Sequence, residues 1–142
     1  MDSFLHDFGQ YGPLLIDFFS PKRIVHLHGG DIEDIEDTSY TATLKVREHI
    51  ILLLLTYQFR TSPHGYVPVS HLCRWIYGDD YYQMNDPGHI MQVYISRIRC
   101  KLGNANYIVY SHDKGYRLNY SLCHCSVPKQ AIMAMLKNLV PN

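Results

Sequence analysis

Apolar and polar positions repeat with two different periods along this chain, and the change falls near residue 44. Before it, Leu14 to Phe19 and Arg23 to His28 are short β-prone runs, and Ser20-Pro21-Lys22 between them reads as a tight turn. Gly29-Gly30 ends the second run. Asp31 to Asp37 alternates weakly and is strongly acidic, which fits an exposed loop or an edge strand kept from pairing by its charge. Tyr40 to Thr43 offers one more short strand, so a small antiparallel sheet is expected over residues 13–43. Ahead of it, Phe4 to Tyr11 has aromatics without a period and reads as a loose leader in residues 1–12, broken at Gly12-Pro13.

From Leu44 the spacing becomes helical. Leu44, Ile51, Leu52 and Leu55 predict a helix running to Phe59, and Leu53 and Leu54 widen its stripe to that of a central core helix. Ser62-Pro63-His64-Gly65 is a loop. Ser70 is placed to cap a short helix whose Leu72, Trp75 and Ile76 point inward and which Gly78 ends. Asp79 to Asn85 is a polar and aromatic loop.

The next stretch, Asp86 to Gly103, carries its own boundary signals. Asp86 suits the cap, Pro87 the first helical position, and Gly103 the left-handed residue past the end. Met91, Ile95, Ile98 and Leu102 fall on one face of the helical wheel. His89, Gln92, Val93, Ser96, Arg97 and Cys100 fall on the other, with Arg99 and Lys101 at its flanks. Such a helix suits a DNA major groove, or is an ordinary amphipathic surface helix. Tyr107 to Ser111 and Tyr116 to Leu122 then form a hairpin across His112-Asp113-Lys114-Gly115. In residues 121–142, Ile132, Met135, Leu136 and Leu139 mark a closing amphipathic helix that packs back on the sheet or pairs with a second copy.

Composition narrows the class. At 142 residues with 46% hydrophobic content, the chain is one globular domain with a core of its own. Ile50 to Leu55 is the greasiest run and is too short to span a bilayer, and the N-terminus lacks the basic start of a signal peptide. A cytoplasmic protein with no membrane partner is expected. Net charge is zero, but its sign is segregated. Residues 1–43 hold eight acids against Lys22 and Arg23, a net of −6, whereas residues 44–120 hold nine bases against five acids, a net of +4. Lys129 and Lys137 add +2. To a polyanion such segregation matters more than the total.

The four cysteines do not make a metal framework. Cys73 and Cys100 read as small apolar fillers inside helices, and Cys123-His124-Cys125 splits its thiols from the imidazole across a strand. The nine histidines form no metal-ligand constellation. Neither an activated nucleophile, paired carboxylates nor a phosphate-cradling glycine loop is present, so no enzyme, cofactor or small-molecule substrate is expected.

The order helix, helix, loop, helix, hairpin is the winged-helix arrangement, and the residues resemble one family. Leu44-Lys-Val-Arg-Glu48 followed by Ile51-Leu52 is similar to the L-T-x-x-E-x-x-L-L opening of the OmpR/PhoB-type DNA-binding domain. Val69-Ser70-His71-Leu72 with Trp75-Ile76-Tyr77-Gly78 looks like its second helix. Val93 to Leu102 resembles its V-H-I-x-x-L-R-x-K-L recognition helix, and Gly115-Tyr116-Arg117-Leu118 matches the end of its wing. The resemblance covers about residues 12–120 and implies an α+β fold: a winged helix-turn-helix with a small N-terminal antiparallel sheet, three helices, a C-terminal hairpin wing and, here, an extra C-terminal helix. The implied domain spans residues 13–120, with the sheet in 13–43 and the helices and wing in 44–120.

What the family carries over is double-stranded DNA binding and transcription regulation in a bacterial cytoplasm, at the nucleoid. Arg97 matches a position that reaches base edges, while Arg99 and Tyr94 match positions that hold phosphates. Gln92, Ser96 and His89 are placed for hydrogen bonds to bases or phosphate, with Val93 and Lys101 on the same helix. Lys114 and Arg117 resemble wing residues that approach the minor groove or backbone. Asp79, Asp80, Tyr81, Tyr82 and Gln83 correspond to the loop that touches RNA polymerase in activators, and a homodimer on two half-sites is implied.

Several positions depart from the family pattern. Lys45 stands for the capping Thr, so the capping box with Glu48 is expected to be lost. Asp113 puts an acid in the wing, Ser96 and Cys100 replace frequent bases, and the acidic run 31–37 looks like an insertion. No receiver domain precedes the sheet, which implies for a complete chain a stand-alone regulator. The alternative function is a protein-interaction module that keeps the fold and docks on RNA polymerase or another regulator without reading DNA.

Overall fold

The structure is a computed structural model and describes residues 14–140; the expected leader and the Gly12-Pro13 break lie outside the described residues. Strands β1 (Leu15–Phe19) and β2 (Lys22–His26) pair antiparallel, Ile16 opposite Val25. Strand β3 (Asp31–Asp34) lies between β2 and β4 (Thr41–Thr43), with Ile32 facing Val25 on one side and Ala42 on the other. The first half of the acidic run, Asp31 to Asp34, is therefore a paired inner strand rather than an unpaired edge, while Ile35 to Asp37 is an exposed bend, as the loop alternative had it. The strand's alternation explains why: Ile32 and Asp34 share the buried face, while Asp31 and Glu33 point to solvent.

Buried Asp34 is fully answered. Nε of Arg23 donates to it at 3.1 Å, and the backbone N–H groups of Glu36 and Asp37 donate at 2.9 Å each. Outside, the Glu33 carboxylate sits 2.6 Å from the His26 ring and Asp31 accepts from the Thr43 hydroxyl at 2.8 Å. Across the sheet the order is β4-β3-β2-β1-β7, where β7 is Cys123–His124. The segment beyond residue 120 thus closes the sheet against β1, and Cys123 and Cys125 are buried with His124 exposed, as the alternation required.

Helix α1 (Val46–Thr61) begins two residues later than its apolar spacing suggested. Its capping box is half retained: the Lys45 N–H donates to Glu48 Oε1 at 2.9 Å, an arm that needs no particular side chain at the cap. Ile50 through Leu55 are all buried, so the helix is apolar around its whole girth and needs cover on more than one side. Closing helix α4 (Lys129–Leu139) supplies part of it. It packs on α1 rather than on the sheet, burying Ala131, Ile132, Met135 and Leu136. Arg60 fixes the approach by donating to the carbonyls of Val127 (2.9 Å) and Cys125 (3.3 Å).

Helix α2 (Val69–Tyr77) starts after Pro68, which occupies the cap; Ser70 sits in the first turn and caps nothing. The cause lies upstream. Val67 exchanges both backbone hydrogen bonds with Tyr116, at 2.7 and 3.0 Å, so extended chain runs up to Pro68. A short 3-10 turn (Asp79–Gln83) leads to helix α3 (Pro87–Leu102), and strands β5 (Ile108–Ser111) and β6 (Gly115–Leu118) follow as a hairpin. The fold is α+β, with a small antiparallel sheet and four α-helices among the described residues.

The sheet is docked on the C-terminal end of α3. Arg23 and Tyr40, with the guanidinium 3.7 Å above the Tyr40 ring, both donate to the Lys101 carbonyl, at 2.9 and 2.6 Å. Free carbonyls at a helix end attract cations, so this contact satisfies the helix as well as the sheet. Gly103 makes the approach possible: its φ is +87°, and a Cβ there would lie 2.6 Å from Nη1 of Arg23.

Candidate nucleic-acid interface

Helix α3 has the boundaries its sequence predicts. Asp86 adopts φ 52° and its side chain accepts from the His89 N–H at 3.1 Å, Pro87 opens the helix, and the Gly103 N–H closes it onto the carbonyls of Arg99 and Cys100. Met91, Ile95, Ile98 and Leu102 are buried. His89, Gln92, Ser96 and Arg97 are exposed, and Val93 and Tyr94 are half-buried. Cys100 is exposed as well, so it is not the apolar filler expected; Cys73 on α2 is. The wheel explains the difference, since Cys100 lies opposite the buried stripe.

Tyr94 is the centre of a small polar cluster. Its hydroxyl lies 3.0 Å from the Tyr77 hydroxyl and accepts from Nη1 of Arg47 at 3.0 Å. Arg47 also stands 4.8 Å over the Tyr77 ring, and the Arg97 guanidinium stands 5.9 Å from the Tyr94 ring. Burial opposes ionisation of both phenols. At Tyr94 the hydroxyl of Tyr77 and the charges of Arg47 and Arg97 outweigh it and hold the phenol below its ordinary value. Tyr77, desolvated and hydrogen-bonded to Tyr94, is pushed up to about 12.

Two of the expected DNA-binding cations are used inside the protein. Nη2 of Arg99 donates to the Ile108 carbonyl at 2.6 Å, tying α3 to the first strand of the hairpin. Nζ of Lys101 sits 2.6 Å from Oε1 of buried Glu48 and donates to the Thr43 carbonyl at 3.0 Å. Flanking positions on a wheel are where a long side chain can turn toward the protein, and both do.

In the hairpin, Lys114 is exposed, with its ammonium 5.8 Å from the Tyr66 ring. Arg117 is half-buried, and its guanidinium lies 5.0 Å from each of the Tyr66 and Tyr120 rings. Asp113 is exposed at the turn. In the turn before α3, Asp79 lies 3.5 Å from Nε of Arg74 and Tyr81 is half-buried beneath the same guanidinium. Asp80 and Gln83 are exposed, and Tyr82 keeps 68% of its surface open.

The structure leaves Arg97, Gln92, Ser96 and His89 exposed on α3 and places half-buried Tyr94 at the edge of that surface, where it meets Arg47 and Tyr77. Sequence patterning within α3 cannot find Arg47, which belongs to the first turn of α1. One signal was available, because a cation there opposes the helix dipole and is out of place by local preference alone. Among the described residues, no group of three or more His, Cys, Asp or Glu is placed to hold a metal ion, and no helix is long and apolar enough to cross a membrane.

No family model matches this sequence, and neither does any curated protein.

Proposed function

We propose that this protein is a sequence-specific double-stranded DNA-binding transcriptional regulator, built as a winged helix-turn-helix of the OmpR/PhoB type. In this reading α3 lies in the major groove and the β5–β6 hairpin is the wing. The observation that carries it is the outer part of α3: Arg97, Gln92, Ser96 and His89 are all exposed, and no carboxylate among the described residues pairs with Arg97. Arg97 would grip a guanine edge with both guanidinium nitrogens and Gln92 an adenine edge. Tyr94 and Lys114 would meet phosphates, which set register. The turn Asp79–Gln83 would contact RNA polymerase, making the protein an activator that binds half-sites as a dimer in the bacterial cytoplasm.

Selection of binding sites from a random duplex pool tests this. A recurring site, bound tightly by the protein and lost with Arg97→Ala, is the expected result. A pool that stays random removes sequence reading.

A second reading is favoured by Tyr82, an aromatic ring left open beside Asp79 and Asp80. A protein-interaction module that docks this turn on RNA polymerase would need no DNA face. Polymerase co-purification that survives Arg97→Ala but not Tyr82→Ala is the result it requires.

A further inference from the structure

We infer that Arg47, on the first turn of α1, is a phosphate-binding residue of the DNA-facing surface, gripping the backbone beside Tyr94 while Arg97 is left to the bases. This rests on the DNA-binding reading proposed above and assigns that surface a residue from outside α3.

Three observations lead there. Arg47 is exposed, and its guanidinium is held in one place by donating to the Tyr94 hydroxyl and by standing over the Tyr77 ring. A guanidinium fixed in this way loses less freedom on meeting a phosphate than a free one does. Second, its charge is unanswered. Arg23, Arg74 and Lys101 are paired with Asp34, Asp79 and Glu48, and no carboxylate among the described residues lies within ion-pair distance of Arg47. The partners it does have are a tyrosine hydroxyl and a tyrosine ring, at the helix end where a cation is least favoured. A phosphate beside Tyr94 would supply the missing anion.

Third, Arg47 and Arg97 flank Tyr94 from two different helices. Arg97 faces the Tyr94 ring from its own helix while Arg47 reaches the hydroxyl from α1. Phosphates line the rim of the groove and base edges its floor, so the cation on the neighbouring helix suits the rim. The phosphate contact expected from Arg99 is engaged inside the protein, as is the flanking cation Lys101, which leaves this position to supply a backbone contact.

The test is salt-dependent binding of the full chain to its selected duplex and to a random duplex of the same length, with Arg47→Gln, Arg47→Lys and Arg97→Ala. Arg47→Gln should weaken binding to both duplexes about tenfold, leaving their ratio unchanged. It should also flatten the plot of log affinity against log salt by about 0.9, one phosphate contact's worth. Arg47→Lys should restore the slope, because an ammonium still neutralises a phosphate. If Arg47→Gln keeps the wild-type slope, or if both Arg47 variants lose affinity equally with the slope unchanged, Arg47 only props Tyr94 and the inference fails while DNA binding stands. If the wild type binds neither duplex in a salt-dependent way, the DNA-binding reading fails and takes this inference with it.

Discussion

The ammonium of Lys101 at the end of α3 lies 2.6 Å from the carboxylate of Glu48 in the first turn of α1, and Glu48 is only 1% exposed. The same oxygen accepts the Lys45 N–H, while Oε2 has no partner among the described residues. Removing the cation would leave a buried carboxylate with one backbone bond. Lys101→Met should cost about 3 kcal/mol in urea unfolding, the low end for a broken buried pair because Lys101 keeps 24% of its side-chain surface in water. Pairing it with Glu48→Leu should recover most of that loss. A double variant as unstable as the single would show that packing, not charge, is at stake.

His49 makes the fold sensitive to mild acid. Its Nε2 contacts the Leu27 carbonyl at 2.6 Å, and burial pushes the imidazole below 6.5, outweighing that hydrogen bond. Well above pH 6.5 the ring is neutral whether the chain is folded or not. As pH falls below 6.5 the unfolded chain takes up a proton that the folded chain refuses, so stability drops until the lower folded-state value is reached. The urea midpoint should be lower at pH 5.5 than at pH 7.5. His49→Leu should flatten that slope while costing about 1–3 kcal/mol for the stranded carbonyl. His71, desolvated and near Arg74, shifts the same way and accounts for a residual slope. Equal midpoints at the two pH values would refute the claim.

Gly115 permits the contact between the hairpin and the chain entering α2. Its φ is +111°, and a Cβ would lie 2.0 Å from the Val67 carbonyl oxygen, whose partner is the Tyr116 N–H. Gly115→Ala should lose about 1–3 kcal/mol from backbone strain alone, with the clash in addition. Amide exchange should become faster at Val67 and Tyr116 before it changes in α1. Uniform protection across both would mean that the strand pairing tolerates the methyl.

The parts legible in the sequence are those set by local period and local caps. Asp86, Pro87 and Gly103 bounded α3 correctly, and Met91, Ile95, Ile98 and Leu102 are its buried stripe. Pairing partners far along the chain were not legible. The acidity of residues 31–37 argued against a paired strand, yet Asp34 ends one by accepting from the Arg23 guanidinium and two backbone N–H groups. Ser70 looks like a cap until Val67 is known to pair with Tyr116. The destination of α4 depended on the girth of α1, which its run of six apolar residues already contained. For the candidate interface, a wheel gives direction but not engagement: Arg97, Arg99 and Lys101 look alike by type, and tertiary partners separate them.

That separation is measurable. Arg97 has no hydrogen bond to the protein among the described residues and only an aromatic neighbour, so Arg97→Ala should leave the melting temperature within about 2 °C, as exposed substitutions do, while abolishing any specific DNA binding. Arg99 is the opposite case. Its removal strands the Ile108 carbonyl and frees the hairpin from α3, so Arg99→Ala should lower stability by about 1–3 kcal/mol. Any loss of DNA affinity in that variant should come from the displaced hairpin and should affect selected and random duplexes alike. Melting curves and binding curves on the two variants read this directly. If Arg99→Ala melts like the wild type yet loses one phosphate's worth of salt dependence, its guanidinium leaves Ile108 when DNA arrives, and the helix has one more free cation than its unbound geometry gives it.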